Sequence, residues 1–375
     1  MIYSFSRKES FFHSFGIALV LTVTTLSGSV AEAQEPRFKE VRRYEGQLAN
    51  PKTFHVVAPN RVVVVDPIRD KAGLTLVDLA KGTELGRFAV GRGPGQIRSG
   101  PGGHAVTQSP GGDVWLWQQG SRTLSVYAGD NLEHLETVRM RQGEDAIVPV
   151  DDTLALSLPV LLSKELNNSE TNTFVRYHRW SRDPYQVSNP IRTTSTSAHS
   201  SLKPLGQNIM LRQGHYATDR GDVFVGFHFS STLVRLDASG VQEVTSGKEA
   251  IPFPEYSTGE GGSYEAPDVT EYPPATTDLA VDNQYVYVLH HGRTFNIGTL
   301  SRVAKTIQGK MRAVTEEWRL TDRVLVYDRK SLSFVREIQL PYRARAIGTG
   351  KKYFYILTTD EVPPSVISYN LYMNK

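Results

Sequence analysis

Short runs of alternating apolar and polar residues fill most of this chain, separated by turns rich in Gly, Asp, Asn and Ser. In "GGDVWLWQQGSRTLSVYAGDNLEHLETV", from Gly111, two such runs are split by a Gln-Gly-Ser loop and followed by an Asp/Gly turn and a third run. The stretch "GDVFVGFHFSSTLVRLDASGVQEV", from Gly221, has the same layout. Val114 and Leu116 correspond to Val223 and Val225, and Leu124 and Val126 to Leu233, Val234 and Leu236. A period of two with turn chemistry between segments denotes β-strands joined as hairpins. With one further strand preceding each stretch, from His104 and from His215, the unit is a four-stranded meander used twice.

Four more copies fit the chain, at residues 53–90, 146–187, 278–338 (split by an insertion) and 345–371. The last copy stops after three strands, and a spare strand, "FKEVRRYEG" at residues 38–46, precedes the first. A spare first strand and an incomplete last unit are what a closed ring requires, and radial repetition leaves only short, protected sheet edges. The expectation is therefore an all-β chain folded as a six-bladed β-propeller. The N-terminal strand closes the last blade beside residues 366–371. Residues 34–375 form this single domain, with insertions at 247–275 and 293–322.

Residues 1–33 read differently. Arg7 and Lys8 precede an apolar stretch at residues 15–26, and "AEA" at residues 31–33 supplies small residues before Gln34. This is the layout of a secretory signal peptide cleaved after Ala33, and the apolar stretch is too short to span a bilayer. The mature chain is expected in the periplasm or outside the cell, with no transmembrane segment. It contains no cysteine, which excludes a lipoprotein anchor, disulfides, thiol chemistry and Cys-ligated metals. The net charge of +3 gives no reason to expect a nucleic-acid partner.

"GRGPGQ" at residues 91–96 looks at first like a phosphate loop. However, Pro94 interrupts the glycines and a strand follows where a phosphate loop would open a helix, so the glycines are read as turn residues. With "GGDVWLWQQGSRTLSVYA" behind it, this stretch resembles the G-x-GPG-E/Q repeat of secreted six-bladed propellers of the NHL and TolB-like group. Gln96 stands where that pattern usually has an acid, and Trp117 and Gln118 flank the place of its usual Asp. The resemblance implies a site on the face shared by the blade-to-blade links and the loops between second and third strands. Three long excursions, at residues 161–172, 247–275 and 293–322, fall on that face. The resemblance also extends to calcium-dependent lactonases, which place Glu, Asn and Asp around a central ion.

Two excursions have character. Leu300, Val303, Ile307, Met311, Val314 and Trp318 recur at helical spacing, predicting one amphipathic helix inserted in the fifth blade. It is read as a packing helix, with a lid or partner-docking helix as the sharper alternative. Residues 247–275 carry six acids against one lysine, with five prolines and three tyrosines. They read as a solvated loop, or alternatively as an acidic-aromatic surface for a cationic or sugar-like ligand.

Repeat alignment places Lys52 or Thr53, His104, Asp145, His215, Asp278 and Arg345 around the channel mouth, with His290 and His291 nearby. Two histidines at equivalent blade positions with an aspartate between them could hold a divalent metal ion or act as acid and base. The sequence requires no cofactor, and a water-filled channel tolerates such residues without any special role. No G-x-S-x-G elbow, H-E-x-x-H or EF-hand loop is present, and Arg345 close to a calcium ion would be unfavourable. Two functions follow. The favoured one is a monomeric, non-catalytic propeller that binds a small molecule or a protein through its loop-rich face. The other is a metal-assisted hydrolase, lactonase or lyase acting at the same mouth.

Overall fold

The structure, a computed structural model, describes residues 37–46, 48–67, 72–89, 96–97, 104–140, 144–159, 172–207, 209–254, 274–292, 320–359 and 363–372. The expected signal segment, the GRGPG stretch, the helix expected within the fifth blade and most of the three excursions lie outside these residues.

Six four-stranded antiparallel sheets make up the fold. The first strand, β1 (Arg37–Tyr44), stands apart in sequence. The first blade is β2 (Thr53–Ala58), β3 (Arg61–Val65), β4 (Ala72–Asp78) and β5 (Thr83–Ala89), and the second is β6 (His104–Gln108), β7 (Val114–Gln118), β8 (Thr123–Tyr127) and β9 (His134–Arg139). The third holds β10 (Glu144–Pro149), β11 (Leu154–Pro159), β12 (Thr173–Arg182) and β13 (Tyr185–Ser195). The fourth holds β14 (Gly214–Asp219), β15 (Asp222–Phe227), β16 (Leu233–Asp237) and β17 (Gly240–Thr245). The fifth holds β18 (Thr276–Val281), β19 (Tyr285–His290), β20 (Thr321–Asp328) and β21 (Phe334–Ala344). The sixth is β22 (Ala346–Thr349), β23 (Tyr353–Thr358) and β24 (Ser365–Tyr372), completed by β1. β1 pairs antiparallel with β24, from Arg37 opposite Tyr372 to Tyr44 opposite Val366. The spare strand thus closes the ring as its position in the sequence implied.

The inner strands β2, β6, β10, β14, β18 and β22 each neighbour the next, and β22 returns to β2. β6 and β14 also approach one another directly, past β10. The alternation of the second strands separates one blade interface from the other instead of core from solvent. On β3, Val62 and Val64 pack with Tyr355, Leu357 and Val366 of the sixth blade. Val63 and Val65 pack with Val114 and Leu116 of the second. Trp115 and Trp117, alternating with those two, pack into the third blade with Ala155 and Leu156. Both faces are buried, so these strands read as near-continuous apolar runs. Each such side chain removed from water contributes about 1.5–3 kcal/mol.

Where the repeats were fitted too tightly, the strands run on. The third copy ends at residue 187 by pattern, but β13 continues to Ser195 because its Thr- and Ser-rich end still pairs with β12. A turn structure with the short helix α1 (Pro204–Gln207) follows it. In the fifth blade Thr321 and Asp322, assigned to the insertion, already belong to β20, and β21 runs to Ala344. Of the described ends of the 247–275 excursion, Lys248, Glu249, Ala250 and Pro252 are exposed, whereas Phe253, Pro254, Pro274 and Ala275 are buried; the acidic stretch between them lies outside the described residues. Phe253 is 7% exposed and meets Phe227 edge-on at 5.2 Å. Ile251 is held by Ser231, which donates to its carbonyl and accepts from its N–H.

Candidate functional site

A cavity of about 720 Å³ lies between the inner strands, and all six blades contribute to its wall. Of the residues expected at the channel mouth, His104, His215 and Asp278 line it, and at the first blade Thr53 does so and Lys52 does not. His55, Thr107, Gln108, Tyr216 and Thr218 add further polar groups that the alignment did not single out. No local signal marked Tyr216: it directly follows His215, and alternation along a strand sends consecutive side chains to opposite sides. The third blade contributes only Pro149 to Asp152, at the far end of β10. The direct approach of β6 to β14 explains why its near end is shut off.

The remaining candidates, Lys52, Asp145, His290, His291 and Arg345, do not line the cavity. Asp145 turns toward the fourth blade, where Oδ2 accepts the Gly214 N–H at 2.9 Å and the Tyr216 hydroxyl at 2.5 Å. Gln119 donates to its other oxygen at 3.4 Å. Arg345 donates from Nε to the Lys52 carbonyl at 3.1 Å, joining the sixth blade to the first. Lys52 directs its ammonium to Asn50. His291 donates its backbone N–H to Ala275 and is 8% exposed. His290 is fully buried, with Nε2 2.9 Å from Glu249. Glu249 also pairs with Arg323, which reaches Glu337. That network ties the fourth-to-fifth-blade link to the fifth blade and does not border the cavity.

Burial sets the electrostatics of the wall. Asp278 is pushed up to about 7 by desolvation, against the pull of the backbone N–H groups of Ile347 and Leu279. Asp145 is pushed up to about 6 by desolvation, against the donors Tyr216 and Gly214. Glu144 beside it adds a smaller upward push. His55 is lowered to about 4 by desolvation, so its imidazole stays neutral. His55 and Asp278 border the cavity and Asp145 lies in the joint between the third and fourth blades, and in each place burial disfavours the charged form. His215 Nδ1 lies 3.9 Å from Asp278 Oδ1, beyond a direct hydrogen bond.

A second polar group lies inside the third blade. Glu144 and Arg176 form an ion pair at 2.8 Å with side chains 0% and 4% exposed. Ser157 Oγ is 2.8 Å from His178 Nε2, and His178 Nδ1 is 3.0 Å from the Ser188 carbonyl. This resembles an activated serine, but Ser157 is fully buried and His178 is 1% exposed, so no substrate reaches it. Arg212, also fully buried, donates to the carbonyls of Leu205 and Pro159. Among the described residues, no three His, Asp or Glu side chains converge as a metal ion would need. Among the same residues no helix is long and apolar enough to cross a membrane.

Solved structures similar to this chain include the following two. A Bacteroides fragilis protein, described provisionally as exported, aligns with a TM-score of 0.50 at 10% identity, over 89% of this chain and 94% of that one. At that identity the likeness speaks for the fold alone. The β-propeller domain of Cps50 (Swd1) from Myceliophteria thermophila aligns at 9% identity over 89% of this chain and 100% of its own, with a TM-score of 0.45. No protein-family model matches the chain, and no curated protein sequence matches it.

Proposed function

We propose that this chain is an exported, monomeric, non-catalytic propeller of the NHL/TolB-like type that binds a small polar molecule in its axial cavity. The observation that carries the reading is the cavity itself. It has about 720 Å³ of space and is walled by the inner strands of all six blades. Its polar wall includes His55, His104, Tyr216, His215 and Asp278, placed to orient a hydrogen-bonding ligand. Ligand sites of this size combine a largely preformed wall with a few convergent polar groups. Export is supported by the basic, apolar and small-residue layout of residues 1–33. The GPGQ turn at residues 93–96 supports the NHL/TolB-like assignment.

Native mass spectrometry of the mature chain, incubated with a soluble small-molecule extract, tests the reading. The wild type is expected to retain a molecule that Thr218→Trp, which fills the cavity, does not. Retention by both proteins would move the site elsewhere, and retention by neither would remove the binding function.

A further inference from the structure

Asp145 and Asp278 stand at equivalent places near the start of β10 and β18, yet only one of them meets the cavity. Asp145 points into the joint with the fourth blade. Its Oδ2 accepts the Gly214 N–H and the Tyr216 hydroxyl, and the Gln119 amide lies 3.4 Å from Oδ1. The protein thus occupies both oxygens. Asp278 lines the cavity and commits Oδ2 to the Ile347 N–H at 2.8 Å. Its Oδ1 faces His215 Nδ1, also on the wall, across 3.9 Å. That gap is too wide for a direct hydrogen bond. The two side chains, 14% and 30% exposed, border the cavity together.

The charges on the wall decide what can enter. Among the described residues no lysine or arginine pairs with Asp278, and Lys52 and Arg345 do not line the cavity. The guanidinium on the wall belongs to Arg220, at the opposite end of β14 from His215, where it is 68% exposed and 3.9 Å from Asp219. Asp219 is itself held by Arg329, and Asp151 accepts the N–H groups of Thr153 and Leu154. Asp278 is therefore the wall carboxylate that lacks a cation at its own end. An anionic ligand would meet it with nothing to offset the repulsion. A neutral polyol would leave it without a counter-charge. A cation supplies that counter-charge and favours the ionised carboxylate.

We propose that the cavity selects a small amine, whose ammonium lies between Asp278 Oδ1 and His215 Nδ1 and whose uncharged body extends along the axis toward Thr107 and Thr218. The proposal rests on the reading of the cavity as a ligand site. One nitrogen about 2.9 Å from each of the two atoms spans their separation. An ammonium carries three donors, and the carboxylate takes one of them. The imidazole takes another when its own proton sits on Nε2. The bond to Asp278 is charge-assisted and lies in a partly buried setting, where such a bond is stronger than on open surface. Ile347 holds the other oxygen and so fixes the direction of the carboxylate.

Ethanolamine, ethylene glycol and glycolate are probes of equal size that differ in charge. Each is titrated into the mature chain at about pH 8, where an alkylamine is charged and a free imidazole neutral, and followed by ligand-observed NMR. Ethanolamine is expected to bind about tenfold or more tightly than ethylene glycol, the contribution of one hydrogen bond to a charged group, and glycolate most weakly. Asp278→Asn, which keeps an acceptor for Ile347, should reduce ethanolamine to the level of ethylene glycol. Should that variant fail to fold, the wild type decides. Its Ile347 amide resonance should shift on saturation with ethanolamine and not with ethylene glycol. Ethanolamine bound no better than ethylene glycol, glycolate bound best, a preference that survives Asp278→Asn, or an unmoved Ile347 amide overturns the proposal. If one of these appears while the wild type, and not Thr218→Trp, retains a molecule from the extract, the cavity is a ligand site of another chemistry and the amine alone falls.

Discussion

Arg176 and Arg182 lie on the same strand, β12, and each pairs with a carboxylate, yet the two pairs occupy different surroundings. Arg176 is 4% exposed and bonds Glu144, which is not exposed at all. Arg182, at the end of the hairpin, is 59% exposed and reaches Asp113 of the second blade at 3.0 Å. The inner pair cannot exchange its partner for water, whereas the outer one can do so at almost no cost. Glu144 records the difference. Desolvation raises it, with Arg176 pulling in the opposite direction. A buried pair is weak evidence for stability as a whole, but breaking it strands a charge.

The largest expected effect is therefore Arg176→Ala, which should lower unfolding free energy by about 3–5 kcal/mol. Urea titration measures it. Replacing both partners, as Arg176→Met with Glu144→Leu, should recover most of the loss, because the stranded charge is then absent. If the double variant is as unstable as the single one, the pair contributes attraction beyond its own desolvation and the contrast with Arg182 is misjudged.

Arg329 falls between the two and sharpens the comparison. It projects from the turn between β20 and β21 of the fifth blade, is 10% exposed, and bonds both Asp219 and Asp222 of the fourth blade. Nη2 also donates to the Asp219 carbonyl at 2.8 Å. With the Asp282 carbonyl, 3.2 Å from Nη1, the planar fork serves four acceptors at once, more than the three donors of a lysine ammonium can. Arg329→Ala should cost about 1–3 kcal/mol, and Arg329→Lys nearly as much. Equal stability of Arg329→Lys and wild type would show that charge alone matters there.

These differences bear on what the residues alone could disclose. The six units, the closing strand β1 and the inner-strand positions of His104, His215 and Asp278 were legible, because alternation and turn chemistry are local. The direction in which Asp145 points was not. Its partner Gly214 is far along the chain, and repeat alignment gives equivalent positions to a residue facing the channel and one facing the next blade. The interior ion pair was half legible. Arg176 and His178 stand in phase within "TFVRYHRW", and Ser157 pairs directly opposite Arg176. Polar residues in phase on a strand buried on both faces mark a polar cluster, but they do not say whether solvent reaches it. The exclusion of the near end of the third blade from the cavity depends on how closely β6 and β14 approach, and no local pattern carries that distance.

The smallest effect belongs to the hairpin, and it separates charge from hydrogen bonding. Asp113 is only 5% exposed although its partner Arg182 is open to water. Its other oxygen takes the Tyr185 hydroxyl. Burial, then this bond to Asp113, holds the Tyr185 phenol up to about 12. An exposed guanidinium is readily replaced by water and salt, and its attraction fades with ionic strength. The phenol is held in place by the sheet and cannot be replaced so easily. Arg182→Ala should accordingly leave the urea midpoint nearly unchanged at moderate salt, with any difference disappearing as salt is added. Tyr185→Phe removes a donor from a largely buried carboxylate and should cost about 1 kcal/mol, independent of salt. The reverse ranking would mean that the second and third blades are joined by charge at the hairpin, and that exposure is a poor guide to the worth of an ion pair in this ring.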